Sequence, residues 1–263
     1  MVLVVSHEAR MPTYLLTISY DGGSYAGWQR QDGSETVQGC LERAFMTIFG
    51  EPHAVYGAGR TDAGVHALRQ CAHVRCPRAM APDILQRALN GNLPRDILVR
   101  AVREVPADFH ARFSAAGKRY AYRFLTSPLR PVFGRGYFWW VSHSLDLDAM
   151  REAAGQIVGE KDFASFASNP GYVRKHGTVR RVDHLHLVQR PGGIDLVIQG
   201  NGFLYNMVRA IAGTIYEIGI GRYPPGQMRE IIEARDRRAA GQTAEPGGLY
   251  LVRVLYPPGI LGS

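Results

Sequence analysis

The strongest constraint in this sequence is an order of segments that occurs twice. Tyr14–Asp21 alternates as a strand and ends on the turn Asp21-Gly22-Gly23. Thr36–Phe49 places Val37, Leu41, Ala44, Phe45 and Ile48 on one helical face. Ala54–Gly59 and Gln70–Arg75 are expected as short strands around a glycine-rich loop. Pro82 then opens a helix to about Leu89, because proline suits the first helical turn, and Ile97–Val105 returns as a strand. After a linker near Pro106–Ala116 the order recurs. Arg119–Leu125 is a strand, with a further strand at Tyr137–Val141, and Asp146 caps a helix carrying Leu147, Met150, Ala154 and Ile157. Val182–Gln189 and Ile194–Gln199 form a hairpin around Pro191-Gly192-Gly193. Asn201 is expected to cap a helix over Leu204–Ile218; a short helix near Gln227–Ala234 and the strand Leu249–Tyr256 close the half.

Elements with one apolar face each must bury it in common. The economical fold is therefore α+β: two similar β-α-β-β-α-β halves, each a split βαβ unit with mainly antiparallel strands and helices on one sheet face, with a cleft between them for a ligand. The expected divisions are an extension over residues 1–12, an N-terminal half over 13–112, a C-terminal half over 113–256 and a tail over 257–263.

With 46% hydrophobic and 21% charged residues, the 263-residue chain has the composition of a globular protein. No apolar run approaches the roughly 20 residues of a membrane span. Met1–Val5 is apolar but is followed by Ser6, His7, Glu8 and Arg10, too short for a secretory signal core, so a cytoplasmic location is expected. Three cysteines do not make a disulfide framework. Cys71, His73 and Cys76 lie close together, yet their spacing matches no zinc motif and Cys76 points away from the other two on a strand, so no metal is expected.

Lys+Arg of 31 against Asp+Glu of 23 leaves a net charge of +8, which suits a polyanionic partner and nucleic acid first. Only Lys118, Lys161 and Lys175 are lysines. Arginine forks match phosphates and stack on bases, although a GC-rich genome also favours arginine codons.

Chemistry concentrates in Gly57–Ala67, GAGRTDAGVHA, where small residues surround Arg60, Thr61 and Asp62. It is neither a P-loop, lacking GxxxxGK[ST], nor a dinucleotide fingerprint, lacking the following helix. An aspartate in such a loop is a turn residue or a carboxylate held rigidly at a sheet edge. The string resembles the active-site motif of the TruA family of tRNA pseudouridine synthases. Further matches follow in family order: YDGGSYAGWQRQ from Tyr20, NGNLPRD from Asn90, DFHARFS from Asp108, KRYAY from Lys118, DFASF from Asp162, FLYNMVR from Phe203 and GLYLV from Gly248. The resemblance covers about residues 13–256. Ser168–Val182 and Glu245 depart from the family pattern, which leaves RNA contacts and loop conformation open.

The resemblance implies two similar α/β halves in one sheet and the isomerisation of uridine to pseudouridine in the anticodon arm of tRNA, at nucleotides 38 to 40. The N1–C1′ bond breaks and the base rejoins through C5, without metal or organic cofactor. It implies Asp62 as the essential carboxylate, attacking C1′ or C6 or deprotonating C2′. Arg60 would help extrude the target nucleotide. Tyr120 would stack on uracil and take the C5 proton, and Arg209 would pair with Asp62 and keep it ionised. Thr61, Trp28 and Arg30 would contact RNA, though Trp28 could equally anchor its loop. A homodimer gripping tRNA across both subunits is implied as well. His66 and His110 match family strings without a catalytic role. Arg174, Lys175, Arg180 and Arg181 form either an RNA-facing loop or a solvated patch. The alternative function is a nonenzymatic RNA-binding or RNA-folding module; a glycoside hydrolase would need a second carboxylate motif.

Overall fold

The computed structural model describes residues 11–168 and 177–261. Its ten strands are β1 Thr13–Tyr20, β2 Tyr56–Gly57, β3 His66–Arg75, β4 Ile97–Val105, β5 Gly117–Thr126, β6 Trp139–Val141, β7 Gly159–Asp162, β8 Val179–Arg190, β9 Gly193–Gly200 and β10 Leu249–Leu255. The helices are α1 Val37–Phe49, α2 Pro82–Asn92, α3 Leu147–Ile157, α4 Met207–Gly219 and α5 Gln227–Ala234.

All ten strands form one sheet, ordered β4-β1-β3-β10-β5-β9-β8-β7, with β2 on β3 and β6 on β5. Strands β4-β1-β3-β2 run last, first, third, second among the first four strands, a split βαβ order. The path β10-β5-β9-β8 follows the same order once the three-residue β6 and the edge strand β7 are set aside. Pairing is antiparallel except for β5 with β6 and for the seam, where β10 and β3 run parallel through Tyr250↔His66 and Leu251↔Ala67.

Local chemistry accounts for most boundaries. The Thr36 side chain accepts from Gly39 N–H to start α1, and Gly50 ends it at φ 80°. Asp146 caps α3 through the N–H groups of Asp148 and Ala149. Along β5, Tyr120, Tyr122 and Phe124 are buried while Arg119 and Arg123 are exposed, the alternation of a sheet with one covered face.

Three expectations need correction. The α4 helix starts at Met207, not near Leu204, and Asn201 does not cap it: its Oδ1 accepts from Arg181 N–H across the β8–β9 hairpin. The residue before α4 is Asn206, in the left-handed region at φ 60°, which asparagine tolerates better than most residues. The β3 strand begins at His66 rather than Gln70, because its first residues gain partners in β10. The four-residue β7 was not anticipated; it lies at the sheet edge against β8.

Candidate active site

The loop between β2 and β3 is held from below. Trp28 N–H donates to Thr61 O at 3.0 Å, and Val65 N–H donates to Asp62 O at 3.1 Å, closing a turn around the aspartate. The hydroxyls of Tyr20 and Thr61 share a buried hydrogen bond of 2.7 Å. Gly27, at φ 98°, permits this contact: a Cβ there would lie 2.5 Å from Thr61 O. Thr61 and the Asp62 backbone are thus fixed on the protein side, and the carboxylate is left at the surface of the seam, 20% exposed.

The opposite half supplies the cation. Arg209, in the first turn of α4, places Nη1 3.5 Å from Asp62 Oδ2, and its own side chain is 15% exposed. Nη1 also donates to Asn206 Oδ1 at 3.0 Å, and Nε donates to Ala244 O at 2.8 Å. Burial raises the Asp62 carboxyl above its ordinary range, and the Arg209 charge and hydrogen bond only partly offset this. Arg209 therefore limits a rise rather than producing the depressed value that an ion pair alone would give. Tyr120 projects from β5, buried, with its ring edge-on to Phe203 at 5.2 Å. Burial pushes its phenol well up, and the Tyr20 and Asp62 charges add to that. At neutral pH this phenol is protonated and available as a hydrogen-bond donor.

Asp62, Thr61, Arg209 and Tyr120 therefore converge, while Arg60 stands exposed beside them with no ion-pair partner among the described residues. Of the residues expected to touch RNA, Trp28 and Arg30 lie outside this group. Trp28 is 1% exposed and packs near the Tyr20 ring, so it anchors the loop and presents no face to a ligand. Arg30 is exposed, but it binds Glu42 of α1 at 3.2 Å and makes no contact with the Asp62 group. Arg174 and Lys175 lie outside the described residues. Arg180 donates to Gly177 O and Val179 O, and Arg181 pairs with Asp183 at 2.8 Å. His73, beside the buried thiols of Cys71 and Cys76, accepts from Ala111 N–H through Nδ1 and is pushed down to about 4, mainly by burial, so it serves as a neutral structural group. His66 also has a structural place, accepting from Gly22 N–H and reaching Gly136 O.

Residues 241–244 and Asn206, which hold Arg209, were not recognised from sequence. One available signal was Gly213, a lone glycine inside an apolar helix, which usually marks close packing. Glu245, the departure ahead of GLYLV, is exposed, and its backbone carbonyl accepts from the Tyr122 hydroxyl.

A sequence profile of the tRNA pseudouridine synthase family matches residues 16–114 and 153–257. The chain belongs to that family. It is accordingly an isomerase that converts uridine in tRNA to pseudouridine. It is 44% identical over 246 residues to tRNA pseudouridine synthase A of Caldicellulosiruptor bescii, covering 94% of this chain and 100% of that protein. The enzymes of the same name from Allorhizobium ampelinum and Rhizobium meliloti are 43% and 41% identical, each over 94% of this chain and over 96% and 100% of their own lengths.

Proposed function

We propose that this synthase acts on the anticodon arm of tRNA, at nucleotides 38 to 40, with Asp62 as the reacting carboxylate. The observation that carries the role of Asp62 is its half-sheltered carboxylate, with one oxygen toward Arg209 and the other without a protein partner among the described residues. Its ionised form opens the reaction at the sugar or at the base. Arg209 stabilises that form, and Tyr120 offers a ring to stack on uracil and a phenol beside the carboxylate. Because the phenol is protonated, it takes the C5 proton only after passing its own to a base, for which the Asp62 carboxylate, once released from the substrate, is the group beside it. Arg60, exposed at the loop edge, fills the space left when the target nucleotide swings out of its stack. Thr61 holds the loop and Arg30 meets RNA at the periphery. The protein works in the cytoplasm as a homodimer, binding tRNA without metal or organic cofactor. Mapping pseudouridine in tRNA after incubation with the purified protein tests the assignment: new pseudouridine at nucleotides 38 to 40 is expected, and modification confined to another arm would contradict it.

A further inference from the structure

Glu217 is the one acidic residue buried below a tenth exposure among the described residues, at 3%. A carboxyl group at such depth is costly unless it is paired and hydrogen-bonded, so its partners show what it holds in place. It lies on α4 in a row with Arg209 and Gly213, spaced four apart and therefore on one helix face. The row is covered by residues 241–244. Oε1 of Glu217 accepts from Gln242 N–H at 3.2 Å and from Arg222 at 3.4 Å. Its Oε2 has no hydrogen-bond partner and faces Gly241, where a Cβ would lie 2.9 Å away. Thr214 Oγ1 accepts from Gly241 N–H at 3.0 Å while donating to Ala210 O. At Gly213 the segment comes closest, since a Cβ there would lie 1.8 Å from Gln242 O. Arg237 fixes the entry by donating to Ala240 O, Gly241 O and Thr243 Oγ1.

The far end of this segment grips Arg209 twice. Ala244 N–H donates to Arg209 O at 3.1 Å, and Ala244 O accepts from Arg209 Nε at 2.8 Å. The same guanidinium reaches Asp62. We propose that Glu217, together with Thr214, is a positioning residue for the isomerisation: it docks residues 241–244 on α4 so that Ala244 holds Arg209 against the reacting carboxylate. The inference rests on the role given to Asp62 above. Glu217 stands about 12 Å along the helix from Arg209 and touches neither Asp62 nor Tyr120 directly.

The groups around Asp62 are Arg209 from α4, Tyr120 from β5, and Arg60 and Thr61 on its own loop, with Tyr20 of β1 behind Thr61. Of these only Arg209 is held by the segment. Loosening the segment should therefore remove the cation's offset while leaving the burial of Asp62 in place, and the acid limb of kcat should move to higher pH.

The test uses Glu217→Gln, which keeps size and an acceptor but removes the charge, and the pair Thr214→Val and Thr214→Ser. For Glu217→Gln and Thr214→Val, hydrogen exchange at residues 241–244 should quicken. Their kcat on tRNA should fall roughly 10-fold or more at near-constant KM, with the acid limb shifted up. Thr214→Ser, which retains the hydroxyl, should behave as wild type. Faster exchange with kcat and the acid limb unmoved would reduce Glu217 and Thr214 to structural residues and overturn the proposal. If one variant does not fold, the other decides on the same readouts. Loss of the Asp62 reading itself would show separately, as an Asp62→Asn protein that still turns over.

Discussion

The two halves share a strand order but not a division of labour. In the second half the strand next to the edge, β8, runs for twelve residues and pairs along most of its length with β9. Its counterpart in the first half, β2, pairs through only two residues, and the chain then leaves the sheet as the loop bearing Asp62. The first half thus gives up strand pairing for a loop and supports it with a buried tryptophan. The second half remains regular and contributes Arg209 and Tyr120 from a helix and a strand. Asp62 from the first half and Arg209 and Tyr120 from the second thus come together at the parallel seam.

The largest expected effect follows from breaking the support of the first half. Trp28→Ala removes a side chain that is 1% exposed under the loop and should destabilise the protein by about 3–5 kcal/mol. Chemical denaturation checks this, and a loss below about 1 kcal/mol would mean that the tryptophan is not the anchor described. A smaller effect is expected from cutting the contact across the seam. Arg209→Met should leave the fold intact but lower kcat roughly 100-fold, equivalent to about 2.7 kcal/mol. The sign in pH follows from the two opposing influences on Asp62. Burial already raises its carboxyl and Arg209 holds that rise back, so without Arg209 the ionised form is reached only at higher pH. The acid limb of the rate profile should move upward, and an unmoved limb would deny that Arg209 acts on Asp62.

Much of this comparison was legible in the chain itself. Ile97–Val105 and Gln227–Ala234 match the expected boundaries, because alternation and helical period are local signals reinforced by turns. The family strings marked Asp62, Tyr120 and Arg209 together, and they do converge. What escaped were features decided by distant partners. Asn201 has the chemistry of a helix cap, but Arg181 N–H across the hairpin occupies its oxygen. His66–Arg69 lacks a clean alternation and joins β3 partly through pairing with β10, nearly two hundred residues away in sequence. Trp28 carries no mark that separates a loop anchor from a stacking platform; only its burial beneath Thr61 does. Residues 241–244 form no regular element, and their grip on Arg209 is made through backbone groups that side-chain patterns cannot reveal.

The central claim is that the carboxylate held at the seam is the group that opens the reaction. Asp62→Asn preserves the size of the side chain but removes its capacity as nucleophile or base. Release of tritium from tRNA labelled at uracil C5, measured beside tRNA binding and thermal unfolding, tests the claim most directly. The account predicts a folded variant that binds tRNA with the wild-type dependence on salt, releases no tritium and leaves the N1–C1′ bond intact. Tritium release by Asp62→Asn at a rate near that of wild type would contradict it.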